Sequence, residues 1–168
     1  MATTTVAASS GGANAKGKLV GKDYITLAIF GVLLFLVFMV FAMVLGMNAN
    51  LFWFTHACGS LIGIVWMYVA AKVPKRGAFA IMSAIVAVVA LLLGMLWTGP
   101  VGIVAGGLLA ELVAGAGSKR TTLRCLAAFA VWTLCFWVGQ ESMIFLAGDA
   151  YVQIVVDSGM SAEYGQGL

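Results

Sequence analysis

The sequence predicts an all-α, polytopic transmembrane helix bundle. Three observations predict it: 63% of the 168 residues are hydrophobic, only 9% are charged, and apolar runs of spanning length alternate with short polar or glycine- and proline-containing breaks. A typical soluble domain is about 25% charged. Crossing ~30 Å of hydrocarbon as helix takes about 20 apolar residues, because backbone N–H and C=O groups must pair within the segment where water is absent. Five runs meet or approach that length, at residues 24–47, 51–71, 77–97, 101–117 and 125–147.

Residues 1–21 are a low-complexity tract of Ala, Thr, Ser, Gly and Lys that cannot bury enough apolar surface to fold alone, and are expected to be a disordered cytoplasmic tail. The apolar run behind them is ~24 residues, too long for the h-region of a secretory signal, so the first helix is expected to be retained. Asn48 and Asn50 separate the first and second runs, and Lys72, Pro74, Lys75 and Arg76 the second and third. Gly99 and Pro100 precede the fourth run, the shortest and richest in glycine. A polar stretch from Ser118 to Arg124 precedes the fifth. The transmembrane domain is thus read as residues 22–156, with 157–168 an extracellular tail or the start of a connection to a sixth helix. The connections are short, so each helix is expected to pack beside its sequence neighbour.

All nine basic residues fall into three groups: Lys16, Lys18 and Lys22; Lys72, Lys75 and Arg76; Lys119, Arg120 and Arg124. With five spans these groups lie on one side, and the positive-inside rule makes that side cytoplasmic. The protein is therefore expected in the cytoplasmic membrane, N-terminus inside and C-terminus outside. The net charge of +3 follows from topology and implies no nucleic-acid partner.

Polar residues inside apolar runs call for partners. Glu111 lies about seven residues from the cytoplasmic end of the fourth run, roughly 10 Å deep. It reads either as a coupling or ion site or as a carboxylate reaching Lys119, Arg120 or a basic residue of another loop. The same run carries Gly102, Gly106, Ala110 and Ala114 at intervals of four, a smooth stripe suited to close helix packing or partner docking. On the outer side Asn48, Asn50, Trp53, His56, Trp97, Thr98, Trp137, Gln140 and Glu141 gather at helix ends. If those ends converge they form a substrate pocket with aromatic walls and hydrogen-bonding groups; otherwise the tryptophans are an interfacial belt. His56 with Glu141 is one candidate pair.

Cys58, Cys125 and Cys135 show no ligand spacing and read as packing residues; no metal and no cofactor are expected. Walker A, GxGxxG, HExxH and GxSxG patterns are absent from the sequence, and Glu111 near the inner surface cannot share a site with His56 and Glu141 near the outer one. The chain is not expected to be an enzyme.

Lys22-Asp23-Tyr24-Ile25-Thr26, the loop Ala71-Lys72-Val73-Pro74-Lys75-Arg76-Gly77, the run Gly107-Leu108-Leu109-Ala110-Glu111-Leu112 and the region Ala130-Val131-Trp132 resemble the MptD (Trep_Strep) family of substrate-binding S components of energy-coupling factor (ECF) transporters. The likeness runs from about residue 22 to about 151 and is most specific in the 71–77 loop and the 107–112 segment. It implies a small membrane protein that captures a micronutrient from outside. Its partners would be a small-molecule substrate, the lipid bilayer, and an energising module of one transmembrane coupling subunit and two cytoplasmic ATPases. S components usually have six helices, whereas five runs are legible here, and no docking motif for the coupling subunit is evident in the first run. A structural or assembly subunit of a larger membrane complex, docking through the stripe on the fourth run, is the alternative.

Overall fold

The computed structural model describes residues 17–46, 51, 62–115, 119–157, 159–161 and 163–164. Helix α1 (Gly21–Gly46) starts where Asp23, in the first turn, accepts a hydrogen bond from the Val20 N–H at 2.8 Å. An acidic residue at this position reaches back to satisfy one of the unpaired donors at a helix start. The remaining helices are α2 (Ile62–Lys72), α3 (Ala78–Leu92), α4 (Thr98–Ala114), α5 (Thr122–Ala147) and α6 (Asp149–Asp157).

Helix boundaries follow local chemistry. Gly77, at φ 88°, and Gly94, at φ 85°, adopt left-handed conformations open to glycine, and they bracket α3. The third apolar run therefore ends as helix at Leu92 instead of residue 97, leaving 15 residues, about 22 Å. Helix α4 begins three residues earlier than the fourth run, because Pro100 falls in its first turn, where a missing N–H leaves no bond unmade. Thr121 caps α5 by accepting from the Arg124 N–H at 3.3 Å. Of the second run, Leu51 and 62–71 lie among the described residues. Helix α6 is a separate short element that the sequence reading folded into the 22–156 domain. Residues 18–20, read there as part of the tail, are tied to the bundle through the Lys18 carbonyl and the Val20 amide.

Two helices, α1 and α5, are each long and apolar enough to cross a membrane, at 26 residues apiece. Only 28% and 22% of their most apolar windows are buried, unlike the core helix of a soluble protein, which would be mostly buried. The exposed positions are themselves large and apolar: Leu36, Val40 and Met43 on α1, Leu134, Val138 and Phe145 on α5. Such a surface suits lipid.

Contrary to the expectation that each helix packs beside its sequence neighbour, α2 lies against α1 and α5 more than against α3, and α4 is central. Its most extensive contact is with α5, its second with α3, while α1 lies against α2 and α3. The core is aromatic: Trp66 stacks on Phe79 at 4.2 Å and meets Trp132 at 5.4 Å, and Phe136 carries the cluster on to Phe38 at 4.8 Å.

Candidate functional site

The stripe on α4 is spent inside the chain. A Cβ at Gly102 would stand 2.5 Å from the Cys135 carbonyl oxygen, and one at Gly106 would stand 3.0 Å from the Trp132 carbonyl oxygen. Gly139 of α5 answers from the other side, where a Cβ would meet the Gly102 Cα at 2.7 Å. Ala110 and Ala114 continue the buried face. These positions therefore join α4 to α5 and offer no open docking surface.

A second face of α4 meets α3. Gly107 carries no side chain where Ser83 presses against it, and one turn further on Glu111 reaches the start of α3. Its Oε1 accepts from the Gly77 N–H at 2.8 Å and its Oε2 from the Phe79 N–H at 3.0 Å. Gly77 offers no capping side chain, so Glu111 supplies from another helix what a Ser or Asp would supply locally, and sets a negative charge at a helix N-terminus. This geometry is architectural, and it replaces the ion-site reading. Of the expected cations, Arg120 forms a long ion pair with the Glu111 Oε2 at 3.9 Å, and no ion pair with Lys119 occurs among the described residues.

The basic groups converge at the same end of the bundle. Lys75 is buried and pairs with Asp23 at 2.7 Å. Arg120 Nη1 donates to the carbonyls of Val73 and Lys75, both at 3.1 Å, and its guanidinium lies over the Phe79 ring at 4.2 Å. These contacts bind the start of α1, the α2–α3 loop and the α4–α5 connection into one cluster. Sequence reasoning placed the three basic groups together but missed Asp23, Lys75 and Arg120 as its hub; the one acidic residue among the basic ones, Asp23, was the available signal.

The opposite end differs. There the turn after α3 borders a cavity of about 290 Å³, walled by Phe35 and Met39 of α1, Ala90 of α3, the 93–96 turn and Gln140 of α5. Its volume is near the lower limit for small-ligand sites. The Gln140 side chain lies against Gly99, and its buried Oε1 has no hydrogen-bond partner among the described residues. Thr98 is buried at the same crossing, with its hydroxyl also unpartnered. Glu141 is only 2% exposed, and neither carboxylate oxygen finds a partner among the described residues. It lies near Tyr151 of α6, whose phenol is pushed up to about 12, chiefly by burial and secondarily by the Glu141 charge. The Tyr164 hydroxyl donates to the Gly46 carbonyl, bringing the C-terminal segment against the end of α1.

The structure thus brings Thr98 and Gln140 to one crossing, with Glu141 buried on the next position of α5. Trp97 is 60% exposed and lies outside the cavity, and Trp137 is half-buried. Asn48, Asn50, Trp53 and His56 lie outside the described residues, and with them the His56–Glu141 pair. No cluster of metal-binding side chains occurs among the described residues.

An apolar helical bundle with lipid-suited flanks and cations gathered at one end defines an integral membrane protein. The chain belongs to the family described as hypothetical bacterial integral membrane protein (Trep_Strep), whose profile matches residues 21–168. Comparison with curated proteins and with solved structures finds no match.

Proposed function

We propose that this protein is the substrate-binding S component of an energy-coupling factor importer in the cytoplasmic membrane. On this reading it captures a small molecule from outside and delivers it through a coupling subunit and two ATPases, and performs no chemistry itself. The observation that carries the reading is Glu141. Burying a carboxylate without a hydrogen bond is strongly unfavourable, and such a group persists where function requires it. It stands with Gln140 and Thr98, also unpartnered among the described residues, at the end opposite the basic cluster, which the positive-inside rule puts outside. The sequence likeness to S components supplies the transporter class. The assembly-subunit alternative loses one of its two motives, since the α4 stripe is occupied by α5; the other is the absence of a legible sixth span.

The test is a thermal-shift screen of the detergent-purified full chain against vitamins, their precursors, small amines and amino acids. A ligand that binds only the folded state raises Tm with dose by mass action. The expected result is a selective rise that Glu141→Gln removes, together with a stable complex on co-expression with an ECF coupling subunit and its ATPases. A well-folded protein that gives neither sinks the reading.

A further inference from the structure

The outer surface of the α3–α4 crevice holds two adjoining hollows that the proposed function leaves unused. One, of about 540 Å³, runs between Ala84, Val88 and Leu91 of α3 and Val101, Val104 and Leu108 of α4. The other, of about 470 Å³, lies at the basic end between Ala80, Leu108, Gly115, Arg76 and Lys119. Leu108 borders both, so they form one groove. From Ala80 to Leu91 along α3 it extends about 16 Å, which matches half the ~30 Å hydrocarbon core, the depth of one leaflet. Ala80, Ala84 and Ala87 leave it open, small residues on a helix otherwise rich in Val, Ile and Leu.

The charges at its mouth are net positive. Arg76 and Lys119 are exposed and make no ion pair among the described residues. Arg124 adds a third cation, its Nη1 3.4 Å from where a Gly115 Cβ would stand. Glu111 also borders the hollow, yet its oxygens are engaged by the α3 amides. The groove therefore offers two or three free cations at the membrane surface and an apolar channel one leaflet deep below them.

We infer that this groove is a binding site for an anionic phospholipid, with the phosphate on Arg76 and Lys119 and one acyl chain along the α3–α4 crevice. A basic pocket between helices on the surface that also carries the protein's other cations is the setting in which acidic head groups are retained. Hydrocarbon alone would fill the groove equally well from any lipid. The cations make the choice of an acidic one, and the groove beneath them makes it a site instead of a diffuse attraction.

Native mass spectrometry of the full chain in detergent, with phosphatidylglycerol or phosphatidylcholine added, reads this directly. Phosphatidylglycerol should be retained at least about tenfold more strongly, since each cation near the surface contributes roughly 1 kcal/mol toward acidic lipid. Arg76→Gln/Lys119→Gln should abolish the preference. Ala84→Phe, at an exposed position, should fill the groove and lower retention while both cations remain. Equal retention of the two lipids, a preference indifferent to the charge change, or retention unaffected by Ala84→Phe would each overturn the site. So would protection by inorganic phosphate equal to that by the lipid, or a dimer crosslinked through this crevice.

Discussion

The two ends of the bundle treat buried carboxylates in opposite ways. At the basic end Asp23 is held by Lys75 and the Val20 amide, and Glu111 by two amides of α3. At the far end Glu141 is more deeply buried than Glu111 and has no partner among the described residues. The first arrangement ties helices together, whereas the second stores an unmet demand for a donor. A polar group with its bonds made is evidence of architecture; a buried one without them is evidence of a site.

That contrast can be broken by substitution. Glu111→Ala should have the largest effect, because it strands two amides at the start of α3; at roughly 2 kcal/mol each the loss is about 4 kcal/mol, seen as a large fall in Tm in detergent. A fall no greater than that of an exposed α4 substitution such as Leu112→Ala would show that water or lipid replaces the cap. Lys75→Met comes next, since it leaves the Asp23 carboxylate with only the Val20 amide. Its Tm should drop by several degrees, and adding Asp23→Leu should recover part of the loss, because removing both partners of an ion pair harms less than removing one. No recovery in the double variant would mean that the pair does not set the stability of that end. The smallest effect belongs to Glu141→Gln: without ligand it should leave stability unchanged or raise it by up to about 1 kcal/mol, since it removes a buried carboxyl that has no partner among the described residues. A marked fall there would reveal a structural partner for Glu141 and erase the difference between the two ends.

Much of the bundle was legible in advance, and the reasons are local. Apolar length marked α1 and α5 to within about three residues, because chain composition alone decides whether a segment can be solvated by lipid. The grouping of Lys and Arg foretold which loops share an end, a consequence of alternation that needs no contact information. The third run was overextended because helix and turn look alike in an apolar stretch until Gly94 takes its left-handed conformation. The stripe at Gly102 and Gly106 was recognisable as a packing face, but a sequence shows that a helix is smooth without showing what lies against it.

The candidate site divides along the same line. Residue type and depth were enough to single out Glu111 and Glu141 as polar groups needing an explanation. Which of them would be satisfied was decided by the approach of α3 across Gly107, a contact between residues some thirty positions apart. The sequence by itself determined a membrane bundle with cations at one end and polar groups at the other, because hydrophobicity and charge act on each segment separately. Only the tertiary structure decided that Glu111 is a helix cap and that Glu141 stands unpartnered among the described residues, because a hydrogen bond depends on ångström-scale placement of groups from different helices.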